Sequence, residues 1–133
     1  MIHEYIIPHS VLNNEYLKSI TETQLTDGRY YVYILENYPQ KNIKVGITKN
    51  PKQRFKSLGS SNGGGNKISR IAISEPTYMR KLESIMHDTL SKYRVPNTEW
   101  FSGIGYHEAV QILISYLSTD IYKAYNKKAC TKM

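Results

Sequence analysis

Apolar and polar residues alternate over Ile43-Lys44-Val45-Gly46-Ile47-Thr48, which predicts a strand with Ile43, Val45 and Ile47 on one face and Lys44, Gly46 and Thr48 on the other. Upstream, Arg29-Tyr30-Tyr31-Val32-Tyr33-Ile34-Leu35 is aromatic and β-branched enough for a buried strand, and Asn37 to Asn42, with Pro39 inside, reads as the turn joining the two. A third strand follows from Ile68 to Ser74, with Ile71 and Ile73 on one side. The period changes to 3.6 in the remaining segments. Residues 11–24 place Leu12, Tyr16 and Ile20 on one helical face behind Ser10 as cap. Asn50-Pro51 is a helix-start signal, and Lys52 to Leu58 supplies a short helix with Phe55 and Leu58 inward and Arg54 beside them. Glu75-Pro76-Thr77 opens the main helix, Tyr78 to about Tyr93, with Leu82, Ile85, Met86, Thr89, Leu90 and Tyr93 as its stripe. Pro96 and Asn97 end it, Glu99-Trp100-Phe101 is a short strand or turn, and a last helix from about Tyr106 turns Val110, Leu113, Ile114, Leu117 and Ile121 inward. Between the short helix and the third strand, residues 59–66 hold four glycines and read as a mobile loop.

At 133 residues these elements fit a single domain with one core: an N-terminal extension over 1–28, a core over 29–104, and a C-terminal helix and basic tail over 105–133. No apolar run has the length of a membrane span, and Met1 to Ser10 lacks the pattern of a secretory signal. The single cysteine, Cys130, excludes an internal disulfide and a cysteine-based zinc site, so a reducing, intracellular setting is expected. Twelve tyrosines against two phenylalanines supply flat faces with a hydroxyl handle, suited to packing and to phosphate contacts alike.

Charge singles out the middle of the chain. From Asn37 to Ser74 there is no Asp or Glu, yet Lys41, Lys44, Lys49, Lys52, Arg54, Lys56, Lys67 and Arg70 all fall there. The flanking segments are close to balance, so the formal net charge of +7 belongs almost wholly to this stretch. A surface of cations alone repels itself unless an anion shares it, and a nucleic-acid backbone is the usual anion of that size. Lys41, Lys49, Lys52, Lys56, Lys67 and Arg70 are therefore candidate phosphate contacts.

Tyr31-Val32-Tyr33, then Lys44-Val45-Gly46-Ile47-Thr48 and Arg54, followed by a Glu83-x-x-x-His87 helix and the triplet Glu99-Trp100-Phe101, resembles the GIY-YIG nuclease family in the branch typified by a phage T5 open-reading-frame domain. The resemblance spans roughly Tyr30 to Phe101. It implies an α+β fold, a small three-stranded antiparallel sheet flanked by helices, here with additional N- and C-terminal helices. It also implies Mg²⁺ or Mn²⁺ as cofactor, DNA as partner, phosphodiester hydrolysis, and the cytoplasm of a bacterial or phage-infected cell. By the same resemblance Tyr33 ends the first motif and Arg54 is the family arginine. Glu83 is then the metal-binding glutamate. Lys44 replaces the first tyrosine of the second motif, Gly46 and Thr48 are structural, and Leu58 stands where some relatives carry a histidine.

The chemistry of these residue types runs in the same direction. Hydrolysis of a phosphodiester needs a deprotonated water, a cation on the attacked phosphate and stabilisation of charge on oxygen. An isolated phenol has a pKa near 10, so Tyr33 needs a neighbouring cation, expected to be Lys44, to act at neutral pH. The guanidinium of Arg54 suits two phosphate oxygens, and the carboxylate of Glu83 suits a hard cation. His87, one turn beyond Glu83, either orients an oxygen, bonds the carboxylate or packs. Glu99 is expected to pin Arg54 or Lys44 rather than to bind metal. Two other readings stay open: a non-catalytic DNA-binding module of the same fold, and an interaction protein for an acidic partner. Sequence preference would come from the additions to the core, from the Gly59–Asn66 loop or from a homodimer.

Overall fold

The structure, a computed structural model, describes residues 2–6, 24–38, 40–54 and 67–131. Its strands are β1 (Ile2–Ile6), β2 (Tyr31–Tyr38), β3 (Ile43–Thr48), β4 (Lys67–Ser74) and β5 (Trp100–Phe101); its helices are α1 (Leu82–Thr89), α2 (Tyr106–Leu117) and α3 (Asp120–Thr131). The expected helix over 11–24 falls almost entirely outside the described residues, as do Phe55, Lys56, Leu58 and the Gly59–Asn66 loop.

The fold is α+β, and the three expected strands form the centre of an antiparallel sheet in the order β1-β4-β2-β3-β5. β2 and β3 make the hairpin, with Tyr33 opposite Gly46 and Leu35 opposite Lys44. Its turn closes on Asn37, whose side-chain oxygen accepts the Asn42 N–H at 2.7 Å, while Lys41 takes a positive φ of 59°. β4 pairs with the other edge of β2 across a register shift between Glu36 and Asn37. The sheet is wider than expected. β1 pairs along β4 from Ile2 to Ile6, and β5 pairs with β3 only at Ile43 and Lys44.

One sheet face carries Val32, Ile34, Ile43, Val45 and Ala72 against Leu82, Met86 and Leu90 of α1 and Tyr106, Ala109, Val110 and Leu113 of α2, which together form the core. Tyr31, Tyr33, Leu35, Ile71 and Ile73 alternate onto the opposite face and are buried as well.

Two helices differ from expectation. The main helix starts at Leu82 rather than Tyr78, because Thr77 exchanges two backbone hydrogen bonds of 2.8 Å with Tyr30 and stays extended. The expected last helix is two. The Ser118 hydroxyl bonds back to the Ile114 carbonyl at 2.8 Å, the chain breaks, and the Thr119 hydroxyl accepts the Tyr122 N–H at 3.2 Å to begin α3. Ile114 of α2 and Ile121 of α3, both expected inward, are exposed. Among the described residues no helix is long and apolar enough to cross a membrane.

Candidate active site

Tyr33 sits in the middle of β2, directly across from Gly46 of β3. Its phenol lies flat over that glycine: a Cβ at position 46 would overlap the hydroxyl and come within 2.8 Å of Cε2. The missing side chain at Gly46 is thus what lets the ring cross β3. At the far side of the strand its oxygen accepts a 3.1 Å hydrogen bond from Arg54 Nε.

Arg54 is held there by the helical turn over residues 51–54. Asn50 caps that turn, its side-chain oxygen accepting the Gln53 N–H at 3.2 Å and its carbonyl the Arg54 N–H at 3.0 Å. The Thr48 hydroxyl accepts the Asn50 N–H at 3.0 Å, tying the cap to the end of β3. Thr48, Asn50, Gln53 and Arg54 line an open depression. Asn50 and Gln53 had no place in the sequence-based site, although the Asn-Pro cap was their signal.

Glu83 comes from the first turn of α1, next to the buried Leu82 and three residues before the buried Met86. Among the described residues its carboxylate has no hydrogen bond or ion pair. It lies close enough to act electrostatically on both the Tyr33 phenol and the Arg54 guanidinium. His87, one turn on, does not bond Glu83 through Nε2: that atom donates to the Val45 carbonyl at 2.7 Å, and the ring meets Phe101 edge-on at 5.4 Å. Since a carbonyl only accepts, Nε2 carries a proton, and His87 fastens α1 to the β3 edge.

Lys44 turns out to serve Glu99. Its ammonium, on a side chain 9% exposed, bonds Glu99 Oε2 at 2.5 Å and lies 5.7 Å from the centre of the Trp100 ring. That pair corrects the expected role of Lys44 in lowering the Tyr33 pKa. Burial pushes the phenol above its ordinary value; the Arg54 hydrogen bond opposes this, and the charges of Glu83 and Glu99 add to the rise. The cation on the phenol is Arg54, itself held above the usual guanidinium range chiefly by that same bond. The Lys44 ammonium holds Glu99 below the usual carboxylate range, with smaller help from Arg54 and His87.

The candidate phosphate contacts separate in space. Lys49 and Lys52 are exposed on either side of the Asn50 cap. Lys41 sits at the hairpin tip, at the other end of β3, about 20 Å away at 3.3 Å per residue. Arg70 does not belong with them. It lies opposite Glu36 in the register, its Nε 3.5 Å from the Glu36 carboxylate and its Nη1 3.0 Å from His107 Nε2, on the α2 side of the sheet. Lys67 opens β4, its side chain outside the described residues.

Among the described residues no three His, Cys, Asp or Glu side chains gather into a metal cluster. The Glu83 carboxylate, without a hydrogen bond or ion pair among the described residues, does fit a hard divalent cation such as Mg²⁺, which keeps several waters and shares its remaining ligands with phosphate oxygens.

Comparison with curated proteins and with solved structures gives no match. The model of the T5orf172 domain matches residues 30–116, a span that begins just before β2, runs through Tyr33, Arg54, Glu83 and Glu99 and ends near the close of α2. Covering well over half of the chain, that match makes this protein a member of the T5orf172 domain family.

Proposed function

We propose that the chain is a metal-dependent endonuclease of GIY-YIG type that hydrolyses phosphodiester bonds in DNA, with Tyr33, Arg54 and Glu83 as its centre. The observation that carries the reading is the hydrogen bond between Tyr33 of β2 and Arg54 of the helical turn, with the Glu83 carboxylate of α1 near enough for its charge to act on both. A module that only bound DNA would gain nothing from a carboxylate there, because its charge repels phosphate unless a cation intervenes.

In this reading Arg54, partly exposed beside the open depression, binds the scissile phosphate while Nε remains on Tyr33. Tyr33 is protonated at neutral pH, since burial raises its pKa. In this reading the phenol keeps that proton and positions the attacking water, whose own proton passes to solvent. Glu83 would hold Mg²⁺ or Mn²⁺, which supplies positive charge for the oxygen that develops negative charge during hydrolysis. Lys44 and Glu99 brace β3 against β5, and His87 ties α1, the helix that carries Glu83, to β3.

Incubation of a supercoiled plasmid with Mg²⁺ or Mn²⁺ tests the reading. The wild type is expected to nick it, EDTA to stop the nicking, and Glu83→Ala to abolish it at unchanged DNA affinity. Equal nicking by wild type and Glu83→Ala would leave the DNA-binding module as the better account.

A further inference from the structure

A second cluster stands just before the three elements that carry the proposed centre. Tyr30 precedes β2, three residues before Tyr33; Lys49 follows β3, five residues before Arg54; Arg80 precedes α1, three residues before Glu83. All three converge: Lys49 Nζ lies 5.1 Å from the centre of the Tyr30 ring, and the Arg80 guanidinium carbon lies 5.6 Å from it. Tyr30 is fixed by its paired backbone bonds to Thr77, while Lys49 and Arg80 are exposed. Among the described residues no carboxylate pairs with either cation. Two cations drawn to one ring repel each other, and the ring offsets that cost only in part. A doubly contacted anion would remove it.

We infer that Lys49, Tyr30 and Arg80 form a phosphate clamp that holds the DNA backbone beside the reacting phosphate and sets where the strand lies across the β3 edge. The inference rests on the nuclease reading and names a contact surface that reading does not need. Three residues of strand separate Tyr30 from Tyr33, about 10 Å, or roughly three phosphates at 3.4 Å of helix axis per strand phosphate. The clamp thus engages a phosphate about three along the strand from the scissile one.

The test is fluorescence anisotropy of a labelled DNA duplex in EDTA across a series of salt concentrations. It compares the wild type, the double variant Lys49→Gln/Arg80→Gln, and a charge-matched control, Lys123→Gln/Lys127→Gln on α3. Each phosphate neutralised contributes about 0.9 to the slope of log K against log salt, so a variant that loses the one clamped phosphate should lose about 0.9 of slope and bind about eight-fold more weakly at 0.1 M salt. Lys49→Arg/Arg80→Lys should restore the slope. An unchanged slope in the clamp variant, or an equal loss in the α3 control, overturns the clamp while leaving the nuclease reading standing if plasmid nicking persists. A wild type that neither binds the duplex nor nicks plasmid overturns both.

Discussion

Replacing Gly46 by alanine tests the geometry on which the site depends. The new methyl group would meet the Tyr33 phenol at its hydroxyl, Cζ and Cε2, the last at 2.8 Å, against an ordinary contact distance of 3.4 Å or more. The ring must therefore retreat by about 0.6 Å at Cε2 and further at the hydroxyl, which already stands at 3.1 Å from Arg54 Nε. Because Tyr33 is only 1% exposed, it has no solvent to move into. Overpacking of a full core costs about 1–3 kcal/mol, and loss of a hydrogen bond to a charged group falls in a similar range of about 1.5–3 kcal/mol. Relaxation shares these costs, so a total of about 2–4 kcal/mol is expected. Urea unfolding followed by circular dichroism measures it. The diagnostic step is a cycle with Tyr33→Ala: once the ring is gone the methyl group fills vacated space, so Gly46→Ala should cost nothing or be mildly stabilising in that background. Additivity of the two substitutions to within about 0.5 kcal/mol would refute the stacking of Tyr33 on Gly46.

Three further outcomes follow from the same structure. Tyr33, Tyr106 and Tyr122 all have pKa values raised mainly by burial, with the 2.9 Å hydrogen bond from Tyr106 to Glu4 adding to its shift. A phenol shifted upward keeps its full contribution to stability below its unfolded pKa near 10 and loses it as pH climbs toward the folded value. Stability should therefore fall above pH 10, by at most about 1.4 kcal/mol per pH unit for each tyrosine, and Tyr106→Phe should flatten the fall by one proton in alkaline denaturant titrations. Glu99→Ala should destabilise more than Lys44→Met in thermal unfolding, by about 1 kcal/mol given the exposure of the carboxylate. The first strands a nearly buried ammonium, whereas the second removes the need for a partner. His87→Ala should leave the Val45 carbonyl without its donor and loosen α1. The expected signs are a loss of about 1–3 kcal/mol and faster amide exchange at the β3 edge; protection unchanged there would count against the anchoring role.

Much of the fold was legible because local pattern and tertiary role agreed. The Ile43–Thr48 alternation placed Lys44 and Gly46 on one face, and the register puts Gly46 under Tyr33. Asn50-Pro51 announced the cap that positions Arg54. What the chain concealed was pairing at a distance. A stretch with no acidic residue reads as a bare cationic surface, yet Lys44 finds Glu99 and Arg70 finds Glu36, both carboxylates lying outside that stretch. The same limit hid the cation that meets Tyr33: spacing nominated Lys44, but only the crossing of the ring over Gly46 carries the phenol to Arg54. β1 was missed because five residues carrying His3 and Glu4 alternate too weakly to stand out, and its place is decided by the open edge of β4. The break between α2 and α3 depends on the hydroxyls of Ser118 and Thr119, which an apolar stripe does not register.

The central claim is that Tyr33, Arg54 and Glu83 act as one unit, and residues that act as a unit are strongly non-additive in rate. Plasmid nicking rates for Tyr33→Phe, Glu83→Ala and the double variant, in Mn²⁺ at saturating enzyme, measure this most directly. The account predicts that each single substitution removes nearly all the rate and that the double variant is no slower than the worse single. Single losses that are modest and multiply in the double variant would contradict it.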